Sequence, residues 1–83
     1  PVQNQFKIYP NPAKNRIQLV FDSSIKKGFH LRIIDAQGKV VQEQTQLNTT
    51  KLKIDIHHLV AGLYSIVILT KDGQVLEQKL IVR

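Results

Sequence analysis

Residues 51–57 have the sequence KLKIDIH, in which polar and apolar side chains alternate without interruption. Alternation with a period of two places the apolar side chains on one face of an extended strand and the polar side chains on the other. Leu52, Ile54 and Ile56 are therefore predicted to face a hydrophobic core, while the charged residues between them face water. The stretch predicts a half-buried β-strand.

The same alternation continues through the rest of the chain. Two earlier segments also have apolar residues at every second position: Ile17, Leu19, Phe21, and Phe29, Leu31, Ile33. The chain has ten Ile and eight Val, whose branched side chains fit a pleated sheet better than a helix. Seven strands are predicted, at residues 6–9, 16–21, 29–35, 40–45, 51–56, 63–70 and 75–82. Short strands separated by turn residues predict an all-β fold, an immunoglobulin-like antiparallel β-sandwich of about seven strands.

The last two predicted strands allow a prediction of register. A two-residue loop would place Ile68 opposite Glu77, whereas a three-residue loop with a left-handed Gly73 places Ile68 opposite Leu76. Since a shift of one residue turns every side chain to the other face, burial should select the three-residue loop. That register points several apolar side chains outward: Leu63, Val67, Leu69, Val75 and Ile81. Either other segments cover them, or they form a docking surface.

Composition limits the classes of function. The chain has 83 residues and no Cys, which excludes disulfides, a thiol nucleophile and a cysteine-ligated metal. Its net charge of +6 fits nucleic acid, an anionic membrane surface, an acidic polysaccharide or solubility alone. The cations are spread along the sequence without interleaved aromatic residues, so nucleic acid binding is not expected. No apolar run approaches the roughly 20 residues of a membrane span, so membrane insertion is not expected either.

Candidate catalytic and metal-binding residues are few. His57 and His58 are adjacent and would point to opposite faces of a strand, which leaves only Asp55 and His57 on one side. Structural zinc needs four ligands, so no metal site is predicted, and the two histidines are predicted to be polar residues at a strand end. The serines lack a neighbouring base, the acids form no pair and there is no phosphate-binding loop. The chain is therefore predicted not to be an enzyme and to need no cofactor.

Residues 59–64, LVAGLY, resemble the tyrosine corner of β-sandwich domains. In that motif the tyrosine hydroxyl bonds a backbone group a few residues upstream and fixes the crossover between the sheets. Tyr64 is predicted to make this bond. The alternative is that Tyr64 is simply an aromatic residue of the core.

Five segments, in order, carry a wider resemblance: IYPNPA at 8–13, IQLV at 17–20, LRIIDAQGKVV at 31–41, LVAGLYSI at 59–66 and KLIVR at 79–83. Together they resemble the type A C-terminal sorting domain of the type IX secretion system of Bacteroidetes-type bacteria. The matching motif positions are Tyr9, Pro10, Asn11, Pro12, Asp35, Gly38, Leu59, Gly62 and Tyr64. Residues 1–5 are then expected to be the stub of a linker, and residues 6–83 a single sorting domain.

The resemblance implies a function without chemistry of its own. Such a domain is fused to the C-terminal end of a larger cargo protein and folds in the periplasm. The outer-membrane translocon recognises it, and a sortase-like cysteine protease usually removes it. The cargo is then secreted or held on the cell surface.

The predicted recognition element is the end of the last hairpin: Lys79, Leu80, Ile81, Val82 and Arg83. Self-association through the outward apolar face stays open. The competing interpretation is an accessory β-sandwich module that binds carbohydrate or acts as a spacer. Carbohydrate modules usually offer a planar row of exposed aromatics, whereas most of the five aromatic residues here are predicted to point inward.

Overall fold

The computed structural model describes residues 6–22, 25 and 28–83. They form seven strands: β1 (Phe6–Tyr9), β2 (Arg16–Phe21), β3 (Phe29–Ile34), β4 (Val40–Leu47), β5 (Lys51–Asp55), β6 (Gly62–Thr70) and β7 (Val75–Val82). A three-stranded sheet has the order β1-β2-β5, and a four-stranded sheet has the order β4-β3-β6-β7. Every pair of neighbouring strands is antiparallel. The predicted all-β architecture is confirmed, and the predicted linker at residues 1–5 lies outside the described residues.

Four strands differ from the prediction by one or two residues at an end. β3 stops before Asp35, because the Asp35 carboxylate accepts the amides of Gln37 and Lys39 and starts a turn, each at 2.9 Å. Gly38 completes this turn with a φ of 88°. β5 stops at Asp55, whose carboxylate accepts the His57 amide at 3.0 Å.

The other two strands are longer than predicted. β4 continues to Leu47, which pairs with Phe29 beyond an irregularity in the ladder. Gln46, within this part of β4, has a φ of 58°. β6 begins one residue early, since Gly62 pairs with Val82.

The core lies between the two sheets and takes every second side chain from most strands. Its fully enclosed members include Leu19, Leu31, Ile33, Ile56, Ile66, Ile68 and Leu80, each 0% exposed. Phe21 of the three-stranded sheet packs on Phe29 of the four-stranded sheet, with 4.5 Å between ring centroids. Ile54 and Ile56 are buried as predicted, and Leu52 is half-buried against the same core. Burial of these alternate side chains holds the sheets together.

The last hairpin has the predicted register. Ile68 lies opposite Leu76, and Tyr64 lies opposite Leu80. The Thr70 amide donates to the Gln74 carbonyl at 2.9 Å, so residues 71–73 form the loop. Gly73 has a φ of 93°, in the left-handed region that favours glycine.

Tyr64 fixes the crossover from β5 to β6, which joins the two sheets. Its ring is buried, and its hydroxyl donates to the Val60 carbonyl at 2.6 Å. In the same crossover the Leu59 amide donates to the Ile56 carbonyl at 2.9 Å, and Leu59 packs against the core. The predicted tyrosine corner is therefore present, and Gly62 starts the strand that follows it.

We predict that Tyr64→Phe lowers the free energy of unfolding by about 1–3 kcal/mol, because the substitution removes a hydrogen bond at a buried ring. Urea denaturation followed by circular dichroism measures this loss. Tyr9→Phe is the matched control: Tyr9 is 46% exposed, so its change should stay within about 0.5 kcal/mol. Equal effects of the two substitutions would contradict a specific role for the Tyr64 hydroxyl.

Candidate functional site

Asn11 and Ala13, from the IYPNPA segment at residues 8–13, lie along the outer edge of β7. The Asn11 side-chain amide donates to the Lys79 carbonyl at 2.9 Å, and its carbonyl oxygen accepts the Ile81 amide at 3.0 Å. One side chain thus satisfies a backbone donor and a backbone acceptor of the strand, as a neighbouring strand would. Sequence analysis did not predict this pairing, because residues 11 and 79 are 68 positions apart.

Ala13 continues this edge pairing. Its amide donates to the Ile81 carbonyl at 2.8 Å, and its carbonyl accepts the Arg83 amide at 2.8 Å. These bonds form a short parallel bridge between Ala13 and Val82. Pro10 and Pro12, which both follow cis peptide bonds, have no amide proton to donate. The end of β7 is therefore held on both sides, by β6 and by residues 11–13.

The five residues of the predicted recognition element alternate between the core and the solvent. Leu80 and Val82 are 0% and 3% exposed and belong to the core. Lys79, Ile81 and Arg83 point outward and are exposed. A partner that binds the folded domain can reach only these three side chains. The two buried residues contribute to such a contact by positioning the strand.

We use the term label face for the outer surface of the four-stranded sheet. The cross-strand pairs Leu63–Ile81 and Leu69–Val75 lie at opposite ends of β6 and β7 on this face, with all four side chains at least 40% exposed. Val67, also predicted to point outward, is half-buried. In the described part of the chain, the four side chains of the two pairs are left exposed, which favours the docking interpretation.

A polar belt separates the two apolar pairs. Arg32 and Glu43 form an ion pair at 2.9 Å. The Lys79 ammonium donates to Glu77 and to the Ser65 hydroxyl, both at 3.0 Å. The Lys79 ammonium, and next the Ser65 hydroxyl, lower the pKa of the Glu77 carboxyl below its ordinary value. The belt thus keeps fixed, opposite charges between two apolar patches.

His57 and His58 lie in the turn after β5, not on a strand, because Asp55 accepts the His57 amide and ends the strand. They are polar residues just beyond the strand end, so the opposite orientation expected of adjacent residues within a strand does not apply, and their rings meet edge to face, 5.7 Å apart. His57 Nδ1 lies 2.6 Å from the Asp55 carboxylate. The His57 amide, and then its ring, lower the pKa of the Asp55 carboxyl. Residues 6–22, 25 and 28–83 contain no group of three or more potential metal ligands.

Lysine and arginine residues that are distant in sequence meet on the outer surface of the three-stranded sheet. Lys7, Arg16, Lys51 and Lys53 all lie there, at outward positions of β1, β2 and β5. Sequence analysis missed this cluster because strands 16–21 and 51–55 are neighbours only in the folded sheet. The described part of the chain has no helix that is long and apolar enough to cross a membrane.

Comparison with known proteins gives a family and a fold. Residues 7–83 match the family model of the secretion system C-terminal sorting domain. A DUF3244 family protein with an immunoglobulin-like β-sandwich fold from Bacteroides vulgatus superposes with a TM-score of 0.76 at 20% identity, covering 93% of this chain and 83% of that protein. CopC from Methylosinus trichosporium gives a TM-score of 0.48 at 23% identity over 88% and 78% of the two chains. No curated protein matches significantly. The first structure confirms the predicted immunoglobulin-like sandwich.

We predict that Asn11→Ala destabilises the end of β7 by about 0.5–1.5 kcal/mol, because the Ile81 amide and the Lys79 carbonyl lose their partner. Amide hydrogen exchange measured by NMR should show faster exchange at Ile81. The Leu80 amide points toward β6 in an antiparallel ladder and serves as the internal control. Asn48→Ala, in the exposed loop between β4 and β5, should change neither rate. Unchanged Ile81 exchange in Asn11→Ala would contradict the role of Asn11.

Proposed function

The chain belongs to the family of secretion system C-terminal sorting domains of the type IX pathway, and on that basis we propose how the domain is recognised. As a sorting signal, such a domain is fused to a cargo protein, is handled by the secretion system and accompanies its cargo through the periplasm toward the cell exterior. The family role is not catalytic. We propose that this domain adds no catalytic step of its own and needs no cofactor.

We propose that the outer-membrane translocon binds the outward side chains of the C-terminal run, Lys79, Ile81 and Arg83. The observation that supports this proposal is the alternation of exposed and buried side chains in residues 79–83. Leu80 and Val82 anchor β7 in the core, so the three outward side chains stand on a rigid strand. Asn11 and Ala13 hold the backbone of the same run from its other side. A preorganised strand loses little conformational entropy when a partner binds it.

Leu63 extends the proposed contact onto β6. It lies directly opposite Ile81 and is 50% exposed. The pair forms an apolar patch next to the Lys79 ammonium, a mixture that resembles the apolar centre and charged rim of protein interfaces. The rest of the label face, including Leu69 and Val75, is proposed to lie outside the contact. Weak self-association of the domain through that remaining surface is an alternative use of it.

We propose that residues 1–5 form the linker to the cargo and that a sortase-like cysteine protease cleaves there. The described sandwich starts at Phe6, the first residue of β1, so cleavage before Phe6 would leave every described strand intact. The Gln78 side-chain amide donates to the Phe6 carbonyl and ties this boundary to β7. The cargo would then be released or retained on the cell surface.

A carbohydrate-binding module is less well supported. Four of the five aromatic residues, Phe6, Phe21, Phe29 and Tyr64, are buried in the core. Tyr9 is exposed by itself, whereas carbohydrate modules stack sugars on several exposed rings.

A secretion assay tests the proposed function. A fluorescent protein with an inner-membrane export signal is fused to the N-terminal side of residues 1–83 and produced in a bacterium with a type IX system. We expect the fluorescent protein to reach the medium or the cell surface, and to remain in the periplasm of a strain without the translocon. Equal export from both strains would contradict the sorting function.

The same assay locates the recognition element. We predict that the triple substitution Lys79→Ser, Ile81→Ser and Arg83→Ser reduces export on the order of tenfold, because it removes the central contacts of the interface. The matched control is Leu69→Ser with Val75→Ser, at the other end of the label face. Thermal melting of each purified domain verifies folding.

Deletion of residues 79–83 would be uninformative, since it also removes Leu80 and Val82 from the core. Equal export by the two folded variants would contradict the location, without contradicting the sorting function.

A further inference from the structure

The outer surface of the three-stranded sheet carries an excess of positive charge. Its cross-strand rows are fixed by the register: Lys7–Val20–Lys51, Tyr9–Gln18–Lys53 and Arg16–Asp55. We call this surface the basic face. Among the paired residues of the three strands it holds four cations and one carboxylate, that of Asp55. Asp22 lies one residue beyond the end of β2, outside these rows.

The four cations are close enough to act together. Neighbouring strands lie about 4.8 Å apart, and alternate residues of one strand about 6.7 Å apart. Three strands and three rows therefore place the cations within a patch of about 10 by 13 Å. Neighbouring cations of the patch are thus about 7–10 Å apart at their backbones. That spacing is comparable to the distance of about 8 Å over which physiological salt screens charges, so an anionic surface meets overlapping potentials of neighbouring cations.

Most of this positive charge is uncompensated. Lys7, Lys51 and Lys53 take part in none of the ion pairs within the described part of the chain. The one carboxylate of the rows, Asp55, already accepts hydrogen bonds from the His57 amide and lies 2.6 Å from the His57 ring. These lysines also differ from Lys79 of the label face, which is engaged by Glu77.

Tyr9 gives the basic face an amphipathic ring. It is 46% exposed and borders a shallow depression with Pro10, Arg16, Gln18 and Lys53. Tyrosine rings are enriched at membrane–water interfaces, where the ring meets the acyl boundary and the hydroxyl meets the headgroups. A single exposed ring offers no row on which successive bases could stack, as proteins that bind single-stranded nucleic acid do.

We propose that the basic face docks on the anionic lipid headgroups of a membrane surface. Lys7, Arg16, Lys51 and Lys53 contact the phosphates, and Tyr9 enters the headgroup layer. The contact is peripheral, because the basic face is the outer surface of a sheet whose apolar side chains, apart from half-buried Val20, point into the core. The basic face and the label face lie on opposite sides of the sandwich, so a membrane and the secretion machinery can be bound together. The proposal rests on the sorting function only in placing the domain beside membranes.

Binding of the 83-residue chain to lipid vesicles tests the proposal. Vesicles of mixed phosphatidylglycerol and phosphatidylcholine should bind the chain at low salt, and vesicles of phosphatidylcholine alone should not. Added salt should weaken the binding, since the contact is mainly electrostatic. Each cation near an anionic membrane contributes about fivefold in affinity, so Lys51→Gln with Lys53→Gln should weaken binding about 25-fold.

Lys39→Gln with Lys71→Gln is the matched control, because it removes the same charge from the β3–β4 and β6–β7 turns. This variant should bind nearly as well as the unaltered chain.

Equal weakening by the two double variants would overturn the proposal, since net charge alone would then explain the binding. Equal binding to both kinds of vesicle would also overturn it. Tighter binding of polyglutamate than of anionic vesicles would overturn it in favour of an acidic protein partner. The secretion assay is independent of vesicle binding, so the two proposals fail separately.

Discussion

Burial of alternate side chains between two sheets is the constraint on which the rest of this structure depends. Every inward position that β6 shares with β7, such as Ile68 beside Leu76 and Tyr64 beside Leu80, requires one register of the hairpin. A shift by one residue would bring Leu63, Val67 and Leu69 into the core and expose the residues that now fill it. The same constraint determines which side chains remain outside. The chemistry of the outer surfaces is thus a consequence of how the core is filled.

The two outer surfaces differ in kind, and this difference shapes the functional interpretation. The label face combines apolar pairs with ion-paired charges, and the polar belt from Arg32–Glu43 to Glu77–Lys79 leaves little net charge on it. Within residues 6–22, 25 and 28–83, the basic face has three lysines outside any ion pair, beside the exposed Tyr9. Surfaces of the first type suit a specific protein partner, and those of the second type suit an extended anionic surface. The proposed contact with the translocon uses the first surface, and the proposed contact with a membrane uses the second.

The pairing of Asn11 and Ala13 with β7 joins the two ends of the sorting domain. The proposed recognition run is at the C-terminal end of the chain, whereas the proposed cleavage segment precedes Phe6. Asn11 links the backbone of the first motif to Lys79 and Ile81. This contact also covers part of the edge of β7, and covered edges resist pairing with other chains. The C-terminal part of this edge strand is thereby protected.

Sequence patterns were enough to predict the family, the inward rows and the seven strands to within two residues at their ends. They also predicted the register of the last hairpin and the hydrogen bond of Tyr64. These features depend on a period of two, on turn residues and on short motifs, which are all local. The predicted register also points Leu80 inward, so Leu80 can support the recognition element only by positioning its strand. The pairing of Asn11 with β7 became visible only in the folded chain, as did the presence of four cations on one face: Lys7, Arg16, Lys51 and Lys53. The reason is physical: such neighbours come from strands far apart in the chain, and burial in a shared core, not local sequence, brings them together.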